Sequence, residues 1–196
     1  LNDLSDRGGL DDAARALTDK ARAELDGIVA TFHALLQIAQ IETGSPRSGF
    51  GPVDLSELCA TFVELYEPAS AEAGHALAFL PPGGDAVRVH GDRGLLGQVL
   101  ANLIENALRH TPAGTRVEVS LARKDGGAVL RVADDGPGVP EPERDLVLRR
   151  LYRMDRSRTT PGAGLGLSLV AGIAALHGAQ VALRDNGPGL RAELTF

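Results

Sequence analysis

The sequence has little cysteine and few aromatic residues. Its 196 residues include no Trp, two Tyr and five Phe, and Cys59 is the single cysteine. One cysteine excludes an intrachain disulfide and fits a reducing compartment. The hydrophobic fraction of 43% permits a substantial core, which therefore has to be built from Leu, Val, Ala and Ile.

The chain also lacks net positive charge and long apolar runs. Its net charge of −6 makes it a poor candidate for nucleic-acid binding. No apolar run approaches the ~20 residues needed to cross a bilayer, and no secretory signal is evident. The chain starts at Leu1 and stops at Phe196 within an apolar pattern. We therefore expect a piece of a longer protein, whose membrane segments would lie outside it.

Residues 12–42 predict one long amphipathic helix, because apolar residues recur mostly at three- and four-residue steps. Such a helix would be about 45 Å long, and its apolar stripe needs a partner helix. A stretch rich in Gly, Pro and Ser follows. We divide the chain into a helical segment 1–43, a linker 44–53 and a compact domain 54–196.

The compact domain alternates predicted helices and strands. Asp54 and Glu57 form a helix-capping pattern. Helices are predicted from 54 to about 66, over 93–110 and over 165–177. Strands are predicted at 75–80, 86–90, 117–121, 129–134, 179–185 and 190–196, with an irregular segment at 135–162. This order predicts an α+β sandwich, a mixed sheet with helices on one face.

The helix 93–110 carries the first polar motif. Asn102, Asn106 and Arg109 or His110 are three or four residues apart and so share one face. The amide oxygen of Asn106 is a hard ligand suited to Mg²⁺, which completes its shell with phosphates and water. A helix whose Asn and Arg side chains only face solvent explains the same spacing.

The second motif follows a predicted strand and runs from Asp134 to Gly138 as Asp-Asp-Gly-Pro-Gly. Asp134 could accept a hydrogen bond from an exocyclic amine such as that of adenine. Gly136 and Gly138 would let the backbone approach a flat ring. An ordinary strand-terminating turn has the same composition.

The third motif places Gly162, Gly164 and Gly166 at the start of the helix that ends at His177. Glycines at a helix start expose backbone N–H groups to an anion, and the helix dipole favours a phosphate there. No Gly-Lys-Ser/Thr follows, and the glycine spacing differs from the dinucleotide fingerprint. Taken alone, this motif is weak evidence.

Together and in this order, the three motifs resemble the Asn box and the two glycine boxes of the histidine kinase ATPase family. This is the Bergerat-fold group, shared with gyrase, heat-shock protein 90 and mismatch-repair ATPases. Residues 150–158 resemble the lid motif of histidine kinases. The helix ending in Ile41-Glu-Thr-Gly44 resembles the second helix of their dimerisation stalk. The resemblance implies a sensor histidine kinase of a two-component system that uses ATP and Mg²⁺.

The resemblance also implies a role for each matching residue. Asn106 would hold Mg²⁺, Asn102 would support the phosphates, and Arg109 and His110 would face them. Asp134 would hold the adenine amine. Gly136 and Gly138 would lie beneath the ring, Tyr152 and Arg153 in the lid, and Gly162, Gly164, Leu165, Gly166 and Leu167 around the phosphates. The implied catalytic residues are Asn102, Arg109 and Arg153.

The chain departs from the family pattern at four positions. Leu148 and Leu151 stand where the family usually has Phe in the lid. Ala179 replaces the second Gly of the usual His-Gly-Gly, and Leu190 stands where Thr is common. We expect nucleotide binding to survive and lid packing to differ.

The sequence bears on three alternative functions. An ATP-hydrolysing relative would carry a general-base Glu four residues before Asn106, where this chain has Asn102. Glu105 lies about 100° away around the helix, so phosphoryl transfer is favoured over hydrolysis. A switch-type anti-sigma kinase would not carry the long helix. A non-enzymatic nucleotide sensor stays open.

A mobile lid over residues 139–161 is predicted, and its six arginines would neutralise phosphate charge on closure. Of these six, Arg153 is the one that we expect first to contact the phosphates.

The family's acceptor is a stalk His followed by Glu or Asp. None of the five His in this chain has such a neighbour, His33 included. We therefore expect a fragment that binds ATP without phosphorylating itself.

The expected partners follow from the same resemblance. They are a response regulator receiver domain and a second copy joined through the stalk, with no nucleic acid. Membrane contact would occur only through parts outside this chain. We expect the chain to be the cytoplasmic portion of a protein in the bacterial inner membrane.

Overall fold

The computed structural model describes residues 14–22, 25, 28, 29, 32, 36, 49–124, 126–149, 152, 154 and 164–196. The described residues of the first segment are helical, within the helix predicted over 12–42. Their apolar side chains are exposed; Leu17 is 70% and Phe32 59% accessible. Within the described ranges, no helix has both the length and the apolar character needed to span a membrane.

The compact domain begins with a strand and ends with a hairpin. Its elements are β1 (Gly51–Asp54), α1 (Leu55–Glu72), β2 (Ala76–Leu80), β3 (Arg88–Gly91), α2 (Arg93–His110), β4 (Arg116–Lys124), β5 (Gly127–Asp134), α3 (Glu141–Arg144), α4 (Gly166–Leu176), β6 (Gln180–Asp185) and β7 (Leu190–Thr195).

The main sheet has five strands in the order β2-β4-β5-β7-β6. β2 runs parallel to β4, and the other pairs are antiparallel, so the sheet is mixed. Buried and exposed residues alternate along β4, where Val117 and Val119 are buried and Glu118 is exposed, as in a sheet covered on one face. Helices α1, α2 and α4 pack against that covered face. The predicted α+β sandwich is confirmed.

The core contains aliphatic side chains and no aromatic ring among its fully buried members. In the described residues, the buried hydrophobic side chains are all Leu, Val, Ile, Ala or Cys. Leu100 and Ile104 of α2, Leu130 of β5 and Ile173 of α4 are completely inaccessible. Burial of each side chain contributes about 1.5–3 kcal/mol. This core fixes α2 and α4 side by side above the sheet.

Two predicted boundaries were wrong. The last residues assigned to the linker form β1, which pairs with β3 as a separate two-stranded sheet. Helix α1 also continues past Tyr66 and through Pro68 to Glu72. Pro68 lacks an N–H and would ordinarily break the helix. The last turn is held beyond it by the buried Ser70, whose carbonyl accepts the N–H of His75 at 2.8 Å.

His177 ties the end of α4 to the start of α2. Its Nε2 accepts the N–H of Asp92 at 3.0 Å, and its Nδ1 lies 2.8 Å from the carbonyl of Ile173. Asp92 is the N-cap of α2 and accepts the N–H of Leu95 at 3.0 Å. The ring of Phe50 stacks on His177 with centroids 4.6 Å apart. These contacts fix the two helices that carry the first and third motifs.

Candidate functional site

Asp134 is the last residue of β5 and is 7% exposed. Its Oδ1 accepts the N–H of Gly136 at 2.9 Å and that of Leu190 at 3.3 Å. Its main-chain carbonyl accepts the side-chain amide of Asn186 at 2.9 Å. The turn between β6 and β7 therefore holds both the backbone and the carboxylate of Asp134.

Only one oxygen of this carboxylate is engaged. Oδ2 hydrogen-bonds to no residue in the part of the chain that the structure describes. Burial raises the pKa of Asp134, the N–H groups of Gly136 and Leu190 oppose that rise, and the nearby Asp135 adds to it. A buried acceptor with a spare oxygen can recognise an N–H donor of a ligand.

Thr111, directly after α2, packs against the glycine turn. A Cβ at Gly136 would lie 2.5 Å from Cγ2 of Thr111 and 3.0 Å from Oδ1 of Asp134. The Thr111 hydroxyl donates to the carbonyl of Ala107 at 2.7 Å, so Nε2 of His75 is the donor in the 2.9 Å contact with Thr111. His75 and Thr111, which sequence reasoning missed, thus support the surface beside Asp134.

Gly189 makes the closest approach to Asp134. A Cβ there would collide with the carbonyl oxygen of Asp134, and the φ of Gly189 is +109°. A Cβ at Gly138 would in turn lie 2.7 Å from the carbonyl oxygen of Gly189. Only glycine fits at position 189. The sequence motifs gave no role to Asn186.

The polar face of α2 lies next to the start of α4. Asn102 donates to the carbonyl of Gln98 at 2.8 Å, and its Oδ1 lies 3.0 Å from the position of a Cβ on Gly166. Asn106, one turn later, is half-buried, while Arg109 and His110 are exposed. The structure therefore brings the first and third motifs together at the contact of α2 with α4.

Glu105 belongs to a different face of α2. Tyr66 of α1 donates its hydroxyl to Oε1 of Glu105 at 2.6 Å. Burial, this hydrogen bond and the charge of Glu105 raise the pKa of Tyr66. The predicted orientation of Glu105, away from Asn102 and Asn106, agrees with this contact.

The start of α4 presents uncapped backbone N–H groups. Its N-cap residue is the buried Leu165, which makes no side-chain capping bond. The hydroxyl of Ser168 donates to the carbonyl of Leu165 at 2.9 Å. Gly164 has a φ of +69°, and Leu167 is half-buried. This helix start can accept an anion, whereas Gly162 of the predicted segment lies outside the described residues.

Part of the predicted lid is described. Arg144 donates to the carbonyl of Val139 at 2.9 Å and lies 3.9 Å from Asp185, so it is held by the body of the domain. Leu148 packs on the core, as does Tyr152, whose hydroxyl lies 3.3 Å from Glu143. The smaller Leu148 therefore still anchors this segment. Arg153 and Leu151 lie outside the described residues.

Comparison with known proteins defines the class. Residues 91–196 match the family model for the histidine kinase-, DNA gyrase B- and HSP90-like ATPases. The chain belongs to this ATPase family, as its motifs predicted.

Its curated relatives are named as histidine kinases. The sensor-like histidine kinase SenX3 of Mycolicibacterium smegmatis is 30% identical over 94% of this chain and 48% of its own length. The signal transduction histidine-protein kinase/phosphatase MprB of a Mycobacterium species is 43% identical over 52% of this chain and 20% of its own. The chain therefore spans half or less of these relatives.

Solved structures of histidine kinases indicate the same class of protein. Full-length ShkA in complex with AMPPNP superimposes with a TM-score of 0.81 at 27% identity, over 95% of this chain and 39% of that one. The mycobacterial sensor histidine kinase MprB gives 0.65 at 29% identity, over 75% of this chain and 96% of that one. The chain thus carries the ATPase domain of two-component sensor histidine kinases.

Proposed function

We propose that this chain binds ATP with Mg²⁺ and transfers the γ-phosphoryl group to a histidine on a dimerisation stalk, for relay to a response regulator receiver domain. The observation that supports this most is the buried Asp134, which keeps one carboxylate oxygen for a ligand. It lies in a chain of the histidine kinase ATPase family.

The residues present fit ATP. Oδ2 of Asp134 would accept the adenine amine, and Gly136 and Gly138 would lie beneath the ring. The uncapped start of α4 would bind phosphate oxygens through its N–H groups, favoured by the helix dipole. Gly164, Leu165, Gly166 and Leu167 would supply this contact, with Gly162 remaining a prediction.

The residues present also fit Mg²⁺ bound mainly through the nucleotide. Among the described residues, no group of three or more His, Cys, Asp and Glu side chains could hold a metal ion. Asn106 would therefore contribute one neutral amide oxygen, and the phosphates and water would complete the shell. When bound, the ion would neutralise charge on the transferring group.

The chain's own part in phosphoryl transfer would be positioning and charge stabilisation. Asn102 would orient the phosphates from its place against Gly166. Arg109 and His110, exposed at the end of α2, would face them from one side. Tyr152 and Arg153 would cover the nucleotide from the lid. The catalytic roles proposed for Asn102 and Arg109 rest on this arrangement, and the role proposed for Arg153 rests on the family resemblance alone.

Hydrolysis is the less favoured function. Asn102 cannot act as a general base for water, and Glu105 is bonded to Tyr66 of α1. No carboxylate of α2 is therefore directed to the face that carries Asn106. A protein that only senses nucleotide shares the same pocket, so activity has to be measured.

Incubation with γ-labelled ATP and Mg²⁺ tests the proposal. We expect no label on the chain alone and acid-labile label on an added stalk that carries a His followed by Glu. Asn106→Ala should abolish that label by removing the proposed Mg²⁺ ligand. Released phosphate without labelled protein would indicate a hydrolase, and nucleotide binding with neither product would indicate a sensor. Label on the chain alone that is lost in His33→Gln would show that the acceptor was misassigned.

The same proposal covers the domain organisation. Residues 1–43 would be the second helix of the stalk and 44–50 the linker, because β1 already belongs to the ATPase domain that continues to residue 196. The exposed Leu17 and Phe32 would pack against the first stalk helix and a second copy. We expect the chain to self-associate at high concentration; a monomeric mass by sedimentation, with this helix intact, would contradict the stalk assignment.

Nucleotide binding should weaken at low pH. The pKa of Asp134 is raised above its ordinary 3.8, so the carboxylate gains its proton at a higher pH than an exposed Asp. Once protonated, it offers a donor where an amine donor has to be accepted. We expect the affinity difference between the wild type and Asp134→Asn to shrink as pH falls through this range. Calorimetry on both proteins measures this difference, and the comparison cancels the effect of adenine protonation, which is common to the two. An affinity difference that stays constant with pH would argue against the proposed role of Asp134.

A further inference from the structure

The outer face of the main sheet, opposite the helices, has the opposite charge to the chain as a whole. Strand register and alternating burial place two anionic and five cationic strand residues on this face, and Asp135, directly after β5, adds a third anionic side chain that pairs with Arg116. The anionic strand residues are Glu118 and Glu193. The cationic ones are Arg116, Lys124, Arg131, Arg184 and Arg191. The net charge of the whole chain is −6.

Three of these arginines converge on Glu193. Nε of Arg131 is 2.8 Å from Oε1, Nε of Arg184 is 2.9 Å from Oε2, and Nε of Arg191 is 3.2 Å from Oε1. The Glu193 side chain is only 15% exposed. One carboxylate therefore accepts hydrogen bonds from the guanidinium groups of Arg131 on β5 and Arg184 on β6, and Arg191 on β7 lies within ion-pair distance without a hydrogen bond to it.

The three arginines exceed Glu193 by two positive charges, and hydrogen bonds to Glu193 hold Arg131 and Arg184 in place. Every contact with Glu193 is made through Nε, and no described residue is hydrogen-bonded to the Nη groups of the three arginines. The Arg184 and Arg191 side chains are 59% and 36% exposed. Planar guanidinium forks suit carboxylates, and a pre-oriented fork loses less entropy on binding.

The surroundings form a shallow platform. Small residues, Ala133 of β5 and Ala182 of β6, lie between the charged ones, and Leu80 of the edge strand is 49% exposed on the same face. A cavity of about 380 Å³ runs between β4, β5 and β7, lined in part by Ser120, Arg131 and Arg191. Arginine beside apolar surface is typical of protein interfaces.

We propose that this arginine face binds an acidic segment of a protein partner, laid across β5, β7 and β6. The segment would pair its carboxylates with the Nη groups of Arg131, Arg184 and Arg191 and cover Leu80. Glu118 and the negative charge of the rest of the chain oppose the continuous phosphates of a nucleic acid, whereas a few spaced carboxylates complement this surface. Asn186 lines the cavity and also donates to the carbonyl of Asp134, so the two sites are adjacent, but the proposal does not rest on nucleotide binding.

The probe is a peptide of about ten residues in which Glu and Ser alternate, so that its carboxylates lie on one side of an extended strand. NMR titration of the full chain should shift the arginine Nε–H signals and the backbone amides of β5, β7 and β6. Affinity should fall as salt is added. The same peptide with Gln for Glu should not bind.

Arg184→Gln together with Arg191→Gln should weaken peptide binding about tenfold or more. Glu193 would still pair with Arg131, whereas two guanidinium groups with unengaged Nη atoms would be lost. Arg116→Gln is the matched control, since Arg116 is paired with Asp135 on the same face; it should bind normally. If the double variant is unfolded by circular dichroism, Arg184→Gln alone replaces it, with at least a threefold loss expected.

Three results would overturn the proposal. They are shifts confined to the nucleotide pocket, an equal loss of affinity in Arg116→Gln, and a single-stranded oligonucleotide that binds the same arginines more tightly than the peptide. None of them depends on whether the chain transfers phosphate.

Discussion

Asp134→Asn should reduce ATP affinity by about 1.5–3 kcal/mol, the loss expected for a charge-assisted hydrogen bond, which is roughly a ten- to hundredfold rise in Kd. The Asn oxygen can still accept the N–H groups of Gly136 and Leu190. Its amide nitrogen then takes the position of Oδ2 and presents a donor to the adenine amine. Isothermal calorimetry with a non-hydrolysable ATP analogue measures the effect.

Asp135→Asn is the matched control. Asp135 is adjacent, but its carboxylate accepts the N–H of Arg116 at 2.7 Å and lies 3.5 Å from the guanidinium of that residue. The variant therefore loses the same charge without touching the proposed adenine contact, and we expect its ATP affinity to be unchanged. Equal affinity in Asp134→Asn and the wild type would remove Asp134 from the adenine site.

Asp134→Asn should not weaken the fold. The folded state raises the pKa of Asp134 above 3.8, so the native state binds a proton more readily than the unfolded chain. Stability attributable to this group is then lost as pH rises through that window. A neutral Asn avoids the loss, and we expect a Tm at neutral pH equal to or above that of the wild type. Lower affinity with a lower Tm would indicate general damage instead.

Gly189→Ala should have the largest effect on the fold. The added Cβ would collide with the carbonyl oxygen of Asp134 and lie 2.9 Å from Cα of Asp135. Both are backbone atoms, so no side-chain rotation relieves the contact. With the cost of φ at +109°, we expect a destabilisation on the order of 4 kcal/mol and loss of ATP binding. Urea unfolding and calorimetry measure the two effects.

Gly178→Ala separates the cost of a positive φ from the cost of the steric collision. Gly178 has a φ of +71°, and a Cβ there would meet nothing within 4 Å. It therefore carries the cost of the left-handed backbone alone, about 1 kcal/mol, and should bind ATP normally. If Gly189→Ala were no worse than Gly178→Ala, the close approach of the two turns would be unimportant.

Local sequence patterns predicted much of the fold. The three-and-four spacing of apolar residues in α2 and the alternation in β4 each identify an element from a few adjacent residues. The extension of α1 through Pro68 was not predictable in this way, because the hydrogen bond that holds its last turn joins the buried Ser70 to His75, beyond the helix. Strand β1 was missed because its composition is that of a linker and the strand that pairs with it, β3, lies more than 30 residues further along the chain.

The candidate site was predictable to a similar extent. Asp134, Asn102 and the glycines stand in recognisable motifs. Asn186 and His75 do not: each acts through a contact with a residue distant in sequence, Asn186 with Asp134 and His75 with Thr111. The three arginines around Glu193 were missed for the same reason, since only strand register brings them together.

The contacts of Asp134 with the last hairpin have a consequence for biosynthesis. Asn186 and Leu190, which hold the backbone and carboxylate of Asp134, follow it by 52 and 56 residues. A chain still on the ribosome can therefore form β4, β5 and α2 before these partners have emerged from the exit tunnel. The contact of the Asp134 carboxylate with Gly136 can form early, whereas its contact with Leu190 forms only when β7 has been translated. Products of premature termination before residue 186 would carry all three motifs and still lack the two hydrogen bonds that join Asp134 to the last hairpin.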